Sequence, residues 1–304
     1  MNIILAGCCK NIENNIDILK QNYSNFKNNN DINICNVIIY ENNSIDNTAD
    51  ILKLWEKGNN DIVCICENYS NDELLNMCKA RTWDNIPCRM EIIAMARNKI
   101  LEEQKKNKYS HIDYLIMYDL DITKVLPYEN IIDILKNKNY DFDALICKGT
   151  DKKGEIYDTF AYKDDIHYIG AEHGNEKYLQ IQKNYIKKFV NSNKNDLIPV
   201  LSAFNAMCIF NKKSIKNCKY SAIPNKALDD FYRKKNYIKN INTHYNGALM
   251  GIYLHGTDGI FYHNCSGYNF PVICEHVNFF MEMRKNGNNN IYICTKLLWD
   301  NIWN

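Results

Sequence analysis

Two aspartates separated by one residue are the strongest chemical signal in the sequence. Asp119 and Asp121 follow Tyr114–Tyr118, a continuous apolar run typical of a strand buried on both faces. They would lie where that strand leaves the sheet, and open α/β sheets bind their ligands at this edge. A turn at Leu120 can direct both carboxylates at one hard cation that carries a diphosphate. Asp-x-Asp turns are also common in solvated loops, so the tripeptide alone leaves a metal site and a plain turn as alternatives.

A second polar segment, Tyr40–Ser44, leaves an earlier predicted strand at the same edge. Its short side chains can hydrogen-bond a base or a ribose, while Ser44 or Asp46 can cap the following helix. Capping and turn chemistry explain most of the segment without a ligand. Neither a cap nor a turn requires the glutamate at position 41, so Glu41 favours the ligand interpretation.

The helix predicted after Pro87, from Cys88 to about Lys105, carries a cation on its apolar stripe. The stripe consists of Met90, Ile93, Ala94, Ile100 and Leu101. Arg97 falls on this face, and an unpaired charge that faces a core costs several kcal/mol. Its partner is either a ligand diphosphate or a carboxylate such as Asp119, and both alternatives place the helix against the site. Arg89 lies nearer the rim and is the weaker candidate.

Late in the chain, Cys274–His276 precedes the apolar residues 277–280. A histidine beside an apolar run is usually a satisfied core residue. A metal held by two carboxylates commonly takes one more protein ligand, however, and neutral imidazole suits Mn²⁺ better than Mg²⁺ or Ca²⁺. His276 is therefore a candidate third ligand, whereas His173 and His255 stand beside glycines in predicted loops.

Other polar segments follow or interrupt predicted strands. Asp158 lies in Tyr157–Ala161, and Ser202 and Asn205 lie in an otherwise apolar stretch; all three can line a ligand pocket, although plain turns also explain each one. The pair Asp229-Asp230 can supply a base, but adjacent carboxylates at a helix start more often interact with the helix dipole.

The elements that must position these residues alternate between strands and helices. Strands are predicted at Ile3–Ala6, Val37–Tyr40, Ile62–Cys66, Tyr114–Tyr118, Ala144–Cys147 and Val200–Phe210, and further helices at Glu13–Phe26, after Thr48 up to Gly58, and at Glu176–Val190. The alternation predicts an α/β fold with a mostly parallel central sheet flanked by helices. Gly247–Tyr262 is predicted as a sheet edge with functional loops. With no repeat or linker, we expect one domain, 1–304, with a nucleotide-binding half, 1–125, and an acceptor-side half, 126–304.

Composition limits the classes of protein and partner. Hydrophobic residues make up 46% and charged residues 24%, as in globular proteins able to bury a large core. The 37 basic and 36 acidic side chains give a net charge of +1, which argues against nucleic-acid binding. Abundant Asn, Ile and Lys indicate an AT-rich genome, such as that of a large DNA virus or an AT-rich protist, and say nothing about function.

Cysteine usage and hydropathy indicate a compartment. The 13 cysteines include no Cys-x-x-Cys pair, and most are expected to be free and buried. Met1–Gly7 is predicted as a core strand and not a signal peptide. No run approaches the roughly 18 apolar residues of a membrane span. We expect a soluble protein in a reducing cytoplasm, which for a virus includes the virus factory or the virion.

Taken together, these motifs resemble the fungal capsule-associated α-1,3-mannosyltransferase family and its bacterial and viral relatives, which are GT-A-type glycosyltransferases. The motifs are Tyr40–Thr48, Arg97-Asn98, Asp119–Asp121, Tyr157–Ala161, Ser202–Asn205 and Cys274–His276. The similarity runs from about residue 1 to 285, and Glu41–Thr48 is its most specific part.

The resemblance implies a GT-A fold with a smaller C-terminal sheet on the acceptor side. It implies that Asp119 and Asp121 bind Mn²⁺ or Mg²⁺ with His276 as a third ligand. The residues it places near the donor, a UDP- or GDP-linked sugar with a slight preference for GDP-mannose, are Glu41, Asn43 and Asp46 at the nucleotide, Arg97 at the diphosphate, and Ser202 and Asn205 at the sugar. The acceptor would be a hydroxyl of a glycan or of a protein.

Two departures from the family matter. The fungal enzymes are membrane-anchored, and no anchor is recognisable in this sequence. Asn205-Ala206 stands where many glycosyltransferases place a glycine pair, which affects the shape of the sugar pocket. If the family stereochemistry holds, the anomeric configuration is retained. An inverting enzyme would need a carboxylate base, for which Glu275, Asp158 and Asp230 are the candidates.

Two other functions stay open. A sugar-1-phosphate nucleotidyltransferase would need a glycine-rich basic loop after the first strand, and Gly7–Lys10 has a single glycine. A non-catalytic glycan-binding or scaffold relative would not need Asp119, Asp121 and His276 together. A dinucleotide oxidoreductase is disfavoured, because no G-x-G-x-x-G follows the first strand.

Overall fold

The computed structural model describes residues 1–156, 158–165, 176–234, 254–255, 262–263, 268–270, 272–300 and 302. Its strands are β1 (Asn2–Cys9), β2 (Ile34–Asn42), β3 (Ile62–Glu67), β4 (Tyr114–Tyr118), β5 (Ala144–Gly149), β6 (Leu197–Pro199), β7 (Met207–Asn211), β8 (Leu254–His255), β9 (Tyr262–His263) and β10 (Ile291–Trp299). Its helices are α1 (Ile16–Lys27), α2 (Thr48–Lys57), α3 (Asn71–Met77), α4 (Arg89–Glu103), α5 (Tyr128–Lys136), α6 (Glu176–Ser192), α7 (Lys226–Lys234) and α8 (Glu275–Lys285). Tyr157, His173 and most of Gly247–Tyr262, for which predictions were made above, lie outside the described residues.

One eight-stranded sheet, in the order β3-β2-β1-β4-β7-β5-β10-β6, forms the centre of the fold. β1 pairs in parallel with β2 and β4, β2 with β3, and β5 with β10. β7 runs antiparallel between β4 and β5, and β6 runs antiparallel to β10. The predicted α/β fold class, with a mostly parallel central sheet flanked by helices, is confirmed.

Two apolar clusters cover the two faces of this sheet. In β1, Ile4 and Ala6 belong to one cluster and Ile3 and Leu5 to the other, as expected from the two-residue period of a strand. Helices α4, α6 and α8 pack on the first face, and α1, α2 and α5 pack on the second. Burial of each Ile or Leu side chain contributes about 1.5–3 kcal/mol, so both faces stabilise the strands that lead to the site.

The strand directions bring distant segments to one edge, which we call the carboxyl edge. It is formed by the ends of β1, β2, β4 and β5, which all point the same way. Because β7 runs in the opposite direction, its first residue, Met207, pairs with Tyr118 at the end of β4. The turn before β7 therefore lies beside the Asp119–Asp121 segment.

The prediction of a single strand over Val200–Phe210 was wrong. The segment contains an irregular turn between β6 and β7, where Asn205 (φ 49°) and Ala206 (φ 70°) adopt left-handed backbone that no strand contains. Val200, Ala203 and Phe204 are nevertheless buried, so the run has a strand-like composition without strand geometry.

The other strands of the C-terminal half join the main sheet. A separate two-stranded sheet, β8 with β9, is described as well. Helix α3, which was not predicted, begins with a capping box in which Ser70 and Glu73 bond each other's backbone amides. Among the described residues, the structure contains no helix with the length and hydrophobicity of a membrane span.

A close approach between β1 and the end of β4 depends on Gly7. A Cβ atom at this position would stand 2.3 Å from the Tyr118 carbonyl oxygen and 2.6 Å from Leu120 Cγ. These are distances that real Cβ atoms do not show, and the turn that carries Asp119 and Asp121 begins at these residues. Glycine at position 7 therefore lets this turn pack against β1.

Candidate active site

The two aspartates lie in a turn that is fixed from both sides. The Asp119 amide donates to the Ala206 carbonyl (2.9 Å), and Asn15 Nδ2 donates to the Asp121 carbonyl (2.9 Å). Between the two aspartates, the Leu120 side chain is buried in the core and anchors the turn. Asp121 is exposed, whereas about a quarter of the Asp119 side chain is accessible (24%). The turn predicted at Leu120 is therefore present at the carboxyl edge.

Burial raises the pKa of Asp119 to about 7. The Arg97 guanidinium opposes this shift, while the negative charges of Asp121, Asp158 and Glu275 add to it. The pKa of Asp121 is raised as well, chiefly by burial, with Arg89 opposing it. Carboxylates that are costly to ionise in the free protein gain from a cation, so this turn is electrostatically suited to one.

Arg97 is the centre of the site. Its Nη1 atom donates to Glu275 Oε1 and lies 2.5 Å from His276 Nε2, while Nη2 lies 3.4 Å from Asp119 Oδ1. Its Cζ atom stands 4.6 Å from the centre of the Phe204 ring, within cation–π range. Burial lowers the pKa of Arg97, but Glu275 and Asp119 more than restore it, and the residue stays charged.

The sequence required a partner for Arg97, and the structure pairs it with carboxylates; its contact with a donor diphosphate stays a prediction. Asp119 was foreseen in this role. Glu275, at the first turn of α8, was not, because 178 residues separate it from Arg97. On α4, the buried residues include Ala94, Ile100 and Leu101 as predicted, whereas Met90 and Ile93 are only half-buried.

His276 is enclosed by aromatic rings. It stacks on Phe204 with 3.9 Å between ring centres, and Tyr220 meets it edge-on at 5.5 Å. Burial, together with the Arg97 charge, lowers the pKa of His276 well below its ordinary value, so the imidazole is neutral. Its Nδ1 atom is buried and has no hydrogen-bond partner.

The residues predicted as metal ligands are only partly placed for that role. Asp119 and Asp121 present carboxylate oxygens of the kind that Mn²⁺ and Mg²⁺ prefer, so their chemistry fits. The Nε2 atom of His276 faces Arg97 instead. In the part of the chain that the structure describes, no three His, Cys, Asp or Glu side chains are grouped so that they could hold a metal ion. The three-ligand set stays a prediction that requires Arg97 to leave His276.

The three predicted base candidates occupy different environments. Asp158 Oδ1 accepts hydrogen bonds from the amides of Phe160 (3.1 Å) and Ala161 (3.0 Å), and burial raises its pKa. Burial also raises the pKa of Glu275, against the effect of its ion pair with Arg97. Asp230 is exposed on α7 and pairs with Lys226.

The segment after β2 is tied into the fold by its own side chains. Glu41, which is buried, accepts a hydrogen bond from the Ser44 amide (2.8 Å), so the argument that no turn requires this glutamate was wrong. Asn43 has φ 57° and donates to the Tyr69 carbonyl (2.6 Å). Asp46 accepts from the amides of Thr48 and Glu13. All three lie at the carboxyl edge, and their contact with a nucleotide stays a prediction.

Ser202 and Asn205 are both fully buried beside this turn. Asn205 Nδ2 donates to the Cys147 carbonyl (3.2 Å), while Asn205 Oδ1 and Ser202 Oγ have no partner. The left-handed backbone at Asn205-Ala206 is the conformation that a glycine pair adopts most easily. This chain therefore keeps the turn without the glycines.

Sequence reasoning missed three residues that shape the site. Phe204 and Tyr220 supply the rings around Arg97 and His276. Lys163 is fully buried, and its ammonium donates to the Phe160 carbonyl (2.9 Å) in the turn that holds Asp158. Phe204 stood inside a quoted motif as an aromatic next to Asn205. No local pattern marks Tyr220 or Lys163, because burial of each depends on segments distant in sequence.

The fold is α/β, and carboxylates at its carboxyl edge pair with the guanidinium of Arg97. The amino-acid sequence matches a protein family. Residues 10–238, most of the chain, match the family described as Cryptococcal mannosyltransferase 1. The chain therefore belongs to this family of glycosyltransferases, which confirms the resemblance seen in the sequence. The match ends before Glu275 and His276, so it does not cover their roles.

The chain is also similar to solved glycosyltransferase structures at low sequence identity. TarS 1-349 of S. aureus is 12% identical with a TM-score of 0.40, over 81% of this chain and 56% of that chain. Mannosyltransferase PcManGT from Pyrobaculum calidifontis, in complex with GDP-Man and Mn²⁺, is 10% identical with a TM-score of 0.38, over 72% and 47%. Glucosyl-3-phosphoglycerate synthase from Mycobacterium tuberculosis, in complex with Mn²⁺, UDP and phosphoglyceric acid, is 10% identical with a TM-score of 0.38, over 77% and 64%.

The match to TarS 1-349 and to PcManGT spans about half the length of each of those chains. No curated protein sequence matches the chain significantly.

Proposed function

We propose that this chain transfers a sugar from a nucleoside-diphosphate sugar to a hydroxyl of a glycan or protein, and that it needs Mn²⁺ or Mg²⁺. Membership of a mannosyltransferase family supports the class of reaction. The proposed metal and donor site rests on the Asp119–Asp121 turn. This turn lies at the carboxyl edge, where open α/β sheets bind ligands, and Asp119 contacts the buried guanidinium of Arg97.

Asp119 and Asp121 would hold the cation. Bound there, it would act as a Lewis acid that neutralises the charge developing on the diphosphate leaving group. Arg97 contacts Asp119 and would supply a positive charge to the same region. His276 would join as a third ligand only when its Nε2 atom is free of Arg97.

The donor would extend along the carboxyl edge. Asn43 and Asp46 are held in place by hydrogen bonds to backbone and would meet the base and ribose, while the buried Glu41 would lie near the nucleotide and hold the turn through the Ser44 amide. Ser202 Oγ and Asn205 Oδ1 are buried oxygen atoms without hydrogen-bond partners, and sugar hydroxyls would donate to them only if the turn before β7 opened. Membership of a mannosyltransferase family supports a slight preference for GDP-mannose over a UDP-sugar.

Acceptor activation depends on the stereochemical course. With retention, the course of the family, no carboxylate base is needed opposite the leaving group. With inversion, Asp158 is the stronger candidate, because one of its oxygens accepts two amide hydrogen bonds while the other is left for an acceptor proton. Glu275 is committed to Arg97, and Asp230 to Lys226 on the surface.

Thermal-shift measurements with UDP and GDP, each with and without Mn²⁺, test the proposal. A ligand at 100 times its Kd adds about 2.7 kcal/mol to stability, so a true donor nucleotide is readily detected. We expect stabilisation by one nucleotide that requires Mn²⁺ and is lost in Asp119→Asn/Asp121→Asn. Asp17→Asn, at an exposed position on α1, is the matched control and should respond like the wild type.

Absence of any Mn²⁺-dependent shift with either nucleotide would contradict the proposed donor site and favour a non-catalytic relative. A shift that persists in Asp119→Asn/Asp121→Asn would place the nucleotide elsewhere. Release of free nucleotide from the matching nucleotide sugar then measures turnover, since hydrolysis of the donor needs no knowledge of the acceptor.

A further inference from the structure

Arg97 contacts Asp119 and His276, two side chains that the proposed metal would need as ligands. Its Nη2 atom approaches Asp119 Oδ1 (3.4 Å), and its Nη1 atom lies against His276 Nε2 (2.5 Å). A guanidinium has donors only, so Nε2 must be the acceptor in this contact. The lone pair with which His276 would bind a metal is therefore engaged by Arg97. The ring proton is on Nδ1, which has no partner.

We propose that Arg97 and the divalent metal compete for Asp119 and His276, and that Arg97 is a positioning residue which neutralises the metal-free site and withdraws when the metal binds. This inference rests on the proposed function, because it takes Asp119 and Asp121 as metal ligands. It adds a role for Arg97 that differs from contact with the donor diphosphate.

The contacts of Arg97 are unequal in a way that permits withdrawal. The contact with Asp119 is long, and Asp119 is the most accessible of the three partners. The ion pair with Glu275 is close and buried, and Phe204 lies under the guanidinium. Arg97 can therefore release Asp119 while it keeps Glu275 and the ring, so no unpaired buried charge is created. Because Nη1 contacts both Glu275 and His276, release of His276 requires a rotation of the guanidinium that leaves Nη1 on Glu275 alone.

Competition and a purely structural role have opposite consequences for metal affinity. If Arg97 only held Asp119 in place, its removal would misplace a ligand and weaken metal binding. If Arg97 competes with the metal, its removal frees His276 and removes a positive charge near the cation. Metal binding then becomes tighter.

Mn²⁺ binding, measured with the metal alone by EPR detection of free Mn²⁺, distinguishes these outcomes. We expect Arg97→Met to bind Mn²⁺ roughly ten- to a hundred-fold more tightly than the wild type, the effect of removing a unit charge a few ångströms away. A second variant, Arg97→Met/Glu275→Gln, removes both members of the ion pair and so keeps the net charge of the site. Tightening that survives in this variant reflects release of the ligands and not charge alone.

A double-mutant cycle with His276→Phe tests the His276 contact directly, since phenylalanine retains the stack on Phe204. In the wild type, where Arg97 must first be displaced from the imidazole, we expect His276→Phe to change Mn²⁺ affinity less than about three-fold. In the Arg97→Met background, where Nε2 is free, the same substitution should weaken binding about ten-fold or more. Circular dichroism verifies that each variant is folded.

Equal or weaker Mn²⁺ binding in the folded Arg97 variants, or a cycle without coupling, would overturn the competition. Loss of Mn²⁺ binding in Asp119→Asn/Asp121→Asn supports the proposed function, whatever the Arg97 variants do. Failure of every variant and of the wild type to bind Mn²⁺ would overturn both. The two proposals can thus fail separately.

Discussion

Burial and charge act in opposite directions on Asp119. Burial raises its pKa to about 7 even though Arg97 stands 3.4 Å away, and the negative charges of Asp121, Asp158 and Glu275 add to this shift. Arg97, Arg89 and Lys163 oppose this negative charge, but these three cations are one fewer than the carboxylates Asp119, Asp121, Asp158 and Glu275. The remaining negative charge is the electrostatic reason to expect a metal cation here.

The raised pKa predicts a pH-dependent stability. Between about pH 4 and pH 7 the folded chain holds a proton on Asp119 that the unfolded chain releases, so stability falls as the pH rises through this window. Without metal at pH 8, we expect Asp119→Asn to be more stable than the wild type by about 4 kcal/mol, with the difference vanishing near pH 4. Urea unfolding across this range measures it, and Asp17→Asn should show no such trend. A difference that is constant with pH would contradict the shift.

A second prediction concerns the left-handed turn before β7. Ala206 has φ 70°, a conformation that costs about 1–2 kcal/mol for a residue with a Cβ atom. Ala206→Gly relieves this cost while it loses one buried methyl group, so we expect little net change in stability. Ala203→Gly, equally buried but without a positive φ, should cost at least 1 kcal/mol more. Equal losses in the two variants, measured by urea unfolding, would argue against strain at Ala206.

At the scale of elements, the site forms where the end of β4 lies beside the start of the antiparallel strand β7. β4 delivers Asp119 and Asp121 from one direction, and β7 begins beside them from the other. Helices α4 and α8 then approach the same edge and contribute Arg97, Glu275 and His276. None of these elements carries a complete site, so their relative positions decide the chemistry.

The packing of β1 on the aspartate turn can be tested with Gly7→Ala. The added Cβ atom would overlap the Tyr118 carbonyl and Leu120, so we expect a loss of about 1–3 kcal/mol and weaker Mn²⁺ binding. Gly58→Ala, after α2, is the matched control, because its nearest neighbour would be 3.8 Å away and its φ is −89°. It should be neutral in both assays. Wild-type Mn²⁺ affinity in a folded Gly7→Ala variant would show that the turn does not depend on this contact.

For the molecule as a whole, the sheet crosses the boundary between the predicted halves. β4 is the last strand of 1–125, and it pairs over its full length with β7 of the second half. Both core clusters also draw residues from both halves. The two halves therefore share one sheet and one pair of cores.

This continuity predicts cooperative unfolding. Urea transitions followed by far-UV circular dichroism and by tryptophan fluorescence should coincide, since loss of either half exposes the cores of the other. A fragment of residues 1–125 should not fold alone, because β4 would become an unpaired apolar edge. A folded fragment, or two separate transitions in the full chain, would contradict the single-domain prediction.

Much of the fold was predictable because the signals are local. Tyr114–Tyr118 matches β4, and the segment Glu176–Val190 matches α6 to within two residues. These elements follow from apolar periodicity and turn residues, which near neighbours decide. The strand prediction for Val200–Phe210 was wrong because an apolar composition indicates burial but does not reveal the left-handed backbone at Asn205 and Ala206.

The amino-acid sequence by itself determined the alternation of strands and helices, the acidic turn after a buried strand, and the need of Arg97 for a partner. Each depends on residues close in the chain or on the cost of an unpaired buried charge. Only the tertiary structure decided that Glu275 meets Arg97, that His276 presents Nε2 to it, and that Phe204 and Tyr220 enclose both. These contacts join segments more than 50 residues apart, so they depend on strand direction and helix packing and leave no local pattern.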